Sequence, residues 1–194
     1  MSATTLIELN INNDDNFIKS LYHLYNDVMS EYGFVDGKTK TININKYPIN
    51  SIFGCCTYSD FVYTHYDVLE TALYGLLNQN NLKFDENKKT NIEFIYGNAV
   101  DNIIDNDFAI HQDIGSGFSD DSYTIITYLN TDCKGGELIF YEKTYYGFEK
   151  TRIIDPNTYS ELITKTVIFD GKLFHKPEPF HSGKRCAIVS QIRK

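Results

Sequence analysis

Cysteine is too sparse and too poorly spaced in this chain to build a disulfide framework. Cys55 and Cys56 are adjacent while Cys133 and Cys186 stand alone, which is no zinc-binding spacing either. All four read as reduced thiols acting as small buried hydrophobes. No stretch approaches the roughly 18 uninterrupted apolar residues of a membrane span, and the N-terminus lacks the basic and apolar regions of a signal peptide. A cytoplasmic or nuclear location is expected. Basic residues are short as well: 18 Lys and Arg face 26 Asp and Glu, a net charge of −8, so no nucleic-acid partner is expected. The shortage is uneven. Residues 171–194 carry Lys172, Lys176, Lys184, Arg185, Arg193 and Lys194 against Glu178 alone, a local +5 that leaves −13 elsewhere and can draw a small anion.

Hydrophobic residues make up 42% of the 194, which suits a single domain with a sizeable core and excludes disorder throughout. After Asn12 and Asn13, either of which can cap, Phe17, Leu21, Leu24 and Val28 recur at helical spacing up to Gly33. A second helix is predicted over Ser59–Gln79, from a Ser59 cap and the apolar stripe Val62, Leu69, Leu73, Leu76 and Leu77. Residues 34–58 mix turn formers with β-prone pieces such as Thr41–Ile44, and Asn80–Asn91 reads as a loop. Seven short β-rich runs follow: Ile92–Tyr96, Phe108–Ile114, Tyr123–Leu129, Glu137–Tyr141, Thr151–Ile154, Thr166–Phe169 and Cys186–Ile192. Helices first and strands afterwards mean an α+β chain, with a sandwich or jelly roll flanked by helices.

His111-Gln112-Asp113 is the segment with the clearest chemistry. On a strand, residues two apart share a face, so an imidazole and a carboxylate at 111 and 113 can bind one ion. The spacing alone is cheap: with 5 His and 16 Asp, about 0.4 such pairs arise by chance, and His65 and Asp67 repeat it. Those two fall in the predicted second helix, where residues two apart diverge by roughly 200° and cannot share an ion. Completed by a second imidazole, the His111–Asp113 pair suits non-haem Fe(II), which keeps open positions; zinc hydrolases also use two His and a carboxylate.

From about Ile92 to Ile192 the sequence resembles the Fe(II)- and 2-oxoglutarate-dependent dioxygenases, in their prolyl 4-hydroxylase-like branch. The resemblance runs through His111-Gln112-Asp113, Tyr128-Leu129-Asn130, Gly135-Gly136-Glu137-Leu138 with Phe140, then Phe169, Phe174-His175 and Gly183-Lys184-Arg185, in that order. It implies a double-stranded β-helix (jelly-roll, cupin-like) core with flanking N-terminal helices: one domain, 1–194, with residues 1–91 as helical support and 92–194 as catalytic core.

The same resemblance implies that His111, Asp113 and His175 ligate iron. Arg185 would grip the far carboxylate of 2-oxoglutarate, with the Tyr128 hydroxyl on the same carboxylate. His181 is an alternative to His175, and Lys184 to Arg185. Strand alternation lets only one of the two cations face the interior, and Cys186-Ala187-Ile188-Val189, which reads like the family's last strand, favours Arg185. Tyr141 departs from the family, whose members often carry proline there. The implied partners are 2-oxoglutarate, O2 and a protein or peptide substrate, proline first, with succinate and CO2 as co-products and ascorbate as reductant. Aromatic residues Phe118, Tyr145, Tyr146, Phe148 and Tyr159 lie in loops able to grip such a peptide. A small-molecule or nucleobase oxygenase, or a cupin-like protein that only holds metal, are the alternatives.

Overall fold

A computed structural model describes residues 4–33, 39–45, 61–87, 90–99, 108–113, 121–157 and 162–194. The first element is one that the sequence reading lacks: strand β1 (Leu6–Asn12), paired antiparallel with β9 (Ile163–Asp170) so that Leu6 faces Phe169 and Asn12 faces Ile163. Helix α1 (Asn16–Tyr32) follows and buries Phe17, Ile18, Leu21, Leu24 and Val28. Its cap is Asp15, which accepts from the Phe17 amide at 2.8 Å, rather than Asn12 or Asn13. Those two are otherwise engaged: Asn12 Oδ1 accepts from the Asp14 amide and Asn13 Oδ1 from the Thr164 hydroxyl. Gly33 closes the helix, donating its amide to Met29 O at 3.0 Å.

Strand β2 (Thr39–Asn45) pairs with the two-residue β3 (Phe61–Val62) in parallel, and helix α2 occupies Tyr66–Gln79. The second helix therefore begins later than its apolar spacing predicts. Val62 belongs to a strand and is exposed, while the Ser59 cap lies outside the described residues. Leu69, Leu73, Leu76 and Leu77 are buried as the stripe requires.

The remaining strands are β4 (Asn91–Ala99), β5 (Ser122–Tyr128), β6 (Asp132–Gly135), β7 (Leu138–Thr144), β8 (Gly147–Ile154), β10 (Phe174–Pro177) and β11 (Phe180–Arg193). One sheet runs β1-β9-β5-β11-β4-β2-β3, with β6 also on β11; a smaller one runs β10-β7-β8. No strand forms over the described part of Phe108–Ile114. Residues 108–113 make one isolated bridge, His111 to His175, and the Gln112 side chain donates to the Lys172 carbonyl.

Strand alternation splits the large sheet between two cores. Ile125, Cys186, Ile188 and Ile192 turn towards α1 and α2 and join Phe94, Leu21 and Leu73. Ile126, Tyr128, Val167, Phe169 and Ala187 turn the other way, against Leu138, Phe140 and Ile154 from the small sheet. Each fully buried large apolar side chain contributes roughly 1.5–3 kcal/mol, so both faces of the sheet are held firmly. Two stacked sheets with a helix pair, mixed in strand direction, are compatible with the jelly-roll, cupin-like α+β fold. Among the described residues no helix is long and apolar enough to cross a membrane.

Candidate metal centre

The bridge between segment 108–113 and β10 builds the site. His111 N donates to His175 O at 3.0 Å, His175 N returns the bond at 2.9 Å, and Asp113 N donates to Gly171 O at 3.0 Å. These bonds bring one ligating atom each of His111, Asp113 and His175 within 4.8 Å of one another. His111 Nε2 lies 3.6 Å from Asp113 Oδ1, and His175 Nε2 lies 3.6 Å from Asp113 Oδ2.

Both imidazoles are oriented by their own chain. His111 Nδ1 is 2.9 Å from Ala109 O and His175 Nδ1 is 3.0 Å from Leu173 O. A carbonyl only accepts, so Nδ1 carries the proton in each ring and the Nε2 lone pair turns inward, as a metal requires. Burial pushes the His175 imidazole below its ordinary range, against the pull of Asp113, and favours the neutral ligand form. Thr124 Oγ1 donates to Asp113 Oδ2 at 2.6 Å, fixing the carboxylate. Two neutral nitrogens and one carboxylate on the same side of a point suit a divalent cation.

The cluster opens into a cavity of about 140 Å³ between the sheets, roughly ten times the volume that one water needs. Its wall includes Ile126, Leu138, Phe180, Ala187 and Val189, with Arg185, Glu93 and Glu178 as further charged groups. Lys184 is exposed whereas Arg185 turns into the cavity, because Cys186 next to it is committed to the helix-side core. His181 is exposed and is not on the cavity wall. Tyr128 lies behind Arg185 rather than on the wall, its ring centroid 5.8 Å from the guanidinium carbon. Among the described residues, the Tyr128 hydroxyl and Arg185 Nε are both buried without a hydrogen bond of good geometry, and Arg185 is the polar group that bears on the hydroxyl. A buried guanidinium donor without an acceptor is costly, and an acidic ligand in the cavity would satisfy Arg185, so the residues present fit a carboxylate.

His65 and Asp67 are both exposed at the start of α2, far from this arrangement in the chain and absent from the cluster; His65 packs edge-on against Tyr63 instead. Of the six basic residues near the C-terminus, Lys172, Lys176 and Lys194 pair with Asp121, Glu178 and Asp170. Arg185 is thus the member of that group that lines the cavity. Tyr145 and Tyr146 stand 95% and 94% exposed at the β7–β8 turn, while Phe148 packs on Tyr141 and Phe174. Phe118 and Tyr159, like Cys55 and Cys56, lie outside the described residues. Cys133 and Cys186 are free and buried, and burial pushes the Cys133 thiol up to about 11.

Sequence reasoning missed Thr124 and Glu93. The signal was available in alternation: Ile92, Phe94 and Tyr96 face the helices, which leaves Glu93 and Ile95 facing inward.

No protein-family model matches the chain, and no curated protein matches it in sequence. Solved structures do. A prolyl-4-hydroxylase from Pseudomonas putida superposes with a TM-score of 0.55 at 12% identity, covering 100% of this chain and 94% of that one. The protein described as IDO from Bacillus thuringiensis gives 0.50 at 13% identity, over 96% and 91% of the two chains. At such identities the likeness is one of fold. Function rests on the site.

Proposed function

We propose that this chain is an Fe(II)- and 2-oxoglutarate-dependent oxygenase that hydroxylates a C–H bond of a peptidyl side chain, with proline the first residue to test. The observation that carries the proposal is that His111, Asp113 and His175 converge in the cavity that Arg185 also lines, with the Tyr128 hydroxyl behind the guanidinium. The fold shared with a prolyl-4-hydroxylase supports the choice of substrate.

His111 Nε2, His175 Nε2 and the Asp113 carboxylate would hold the iron on one side. When bound, iron with 2-oxoglutarate supplies an oxidant from O2, with succinate and CO2 released and ascorbate available as reductant. The chain's own residues set the geometry. Arg185 offers a fixed fork of donors to the far carboxylate, a charge-assisted bond that contributes roughly 1.5–3 kcal/mol. Tyr128 adds a second donor to the same group. Ile126, Leu138, Ala187 and Val189 keep the surroundings apolar, so that water is excluded from the reacting carbon.

Anaerobic addition of Fe(II) and 2-oxoglutarate tests the reading. A visible charge-transfer band is expected, and its absence in the wild type rejects the cosubstrate assignment. His111→Ala or Asp113→Ala should abolish the band and His65→Ala should leave it intact. Candidate peptides incubated in air should then gain 16 Da by mass spectrometry.

A further inference from the structure

Glu93 is a carboxylate in the cavity wall that neither the metal centre nor the cosubstrate uses. It lies on β4, whose register against β11 sets Gly97 opposite Arg185 and Glu93 opposite Val189. Four strand residues separate the two positions, roughly 13 Å at 3.3 Å per residue. On the other side of β11, Ile126 pairs with Val189 and Thr124 with Gln191. Thr124 is the residue that holds Asp113, so Glu93 stands at the metal end of the cavity and Arg185 towards the other.

Among the described residues no cation offsets Glu93. Its lateral neighbours in the sheet are Asn43 on β2 and Val189 on β11. Burial pushes its carboxyl above the usual range, an Asn91 hydrogen bond opposes this, and repulsion from Asp113 adds to it; no basic group contributes. The charge of a loaded site points the same way. The two positive charges of Fe(II) and the one of Arg185 balance the two negative charges of 2-oxoglutarate and the one of Asp113. Glu178, the other carboxylate on the wall, pairs with Lys176 at 3.3 Å, which leaves Glu93 as the charge without a counterpart among the described residues.

We infer that Glu93 is a recognition point for a cationic nitrogen of the substrate, an ammonium carried either by a basic side chain or by a free amine, placed beside the metal centre. This rests on the oxygenase reading above and narrows its substrate class. Such an ammonium would neutralise Glu93 in a half-buried site where a charge pair counts for more than at the surface, and a neutral substrate of the same shape would leave it uncompensated. Glu93 would thus select among substrates and also hold the bound one in register with the metal.

Three probes test it on the protein loaded with Fe(II) and 2-oxoglutarate without O2: N-acetyl-L-lysinamide, L-norleucinamide and the neutral N-acetyl-L-norleucinamide. Binding is read by titration calorimetry and by perturbation of the visible band. At least one cationic probe should bind about tenfold or more tighter than the neutral one, and which of the two does so identifies the source of the ammonium. Glu93→Gln should cut that advantage to about threefold or less while the band with 2-oxoglutarate persists, and Glu93→Asp should retain part of it. Equal binding of the three probes, or an advantage that survives Glu93→Gln, overturns the inference. If the wild-type protein forms no band, the oxygenase reading fails and this inference with it; a normal band without cation preference removes this inference alone.

Discussion

Thr124 Oγ1 donates to Asp113 Oδ2 at 2.6 Å, so a β5 hydroxyl fixes the carboxylate of a segment that has no strand of its own. Such outer partners set the orientation of a ligand and typically account for 10–100-fold in metal affinity.

Thr124→Val keeps the side-chain shape and removes the donor. Fe(II) or Mn(II) affinity should fall by about 10–100-fold, with Thr124→Ser close to wild type. A metal titration by calorimetry or electron paramagnetic resonance decides it; unchanged affinity in the valine variant would mean that Asp113 is positioned by its backbone bond to Gly171 alone.

Arg185→Gln should raise the 2-oxoglutarate concentration needed for half-maximal band intensity by about 10–100-fold, the loss of one charge-assisted pair. Tyr128→Phe should cost less, about 2–10-fold. Lys184→Gln should change nothing, since Lys184 is exposed on the other side of the strand. If Lys184 carries the effect, the anchor is misassigned.

Gly183 has φ +82°, and a Cβ there would collide with the Asp132 carbonyl oxygen. Gly183→Ala forces β11 and β6 apart as well as straining the backbone, at roughly 1–3 kcal/mol for the strain alone. Thermal melting should show Tm lower by about 2–12 °C. A variant that melts with the wild type would show that the β6–β11 pairing gives way at no cost.

Glu93 gives the fold a pH dependence whose sign can be worked out. Burial raises its folded-state pKa above the ordinary value near 4.5, with Asp113 adding and Asn91 opposing. The folded chain then holds the proton more tightly than the unfolded one, so this contribution to stability is full below 4.5 and is lost as pH rises through the folded pKa. Glu93→Gln should remove that slope and raise Tm at pH 7, with little effect at pH 4. A variant that is less stable than wild type at pH 7 would contradict the assignment of Glu93 as an uncompensated charge.

The helices were legible because a repeat near 3.6 reports burial directly: Phe17, Leu21, Leu24 and Val28 are the buried face of α1. Their starts were less so. Four Asn and Asp residues stand in a row before α1, and which one caps depends on what Asn13 can reach across the chain in β9. Val62 has helical spacing, yet β2 offers it a strand partner. β1 was invisible for a similar reason: it is an edge strand carrying Glu8, Asn10 and Asn12, and its partner lies more than 150 residues away. The run at 108–113 has β-prone residues, but a ladder needs a neighbour along its whole length, and here only His111 meets one.

What the sequence by itself determined is local: an imidazole and a carboxylate two residues apart, two apolar helix stripes, and strands whose alternation assigns each side chain to a face. Alternation also separates Arg185 from Lys184 once Cys186 is known to face the helices. Only the tertiary structure decided that His175 closes against His111, that Thr124 holds Asp113, and that Glu93 shares their cavity with no described cation beside it. Those relations depend on antiparallel register between segments 11 to 96 residues apart. Register is set by packing both faces of one sheet at once, and no single stretch of sequence carries that information.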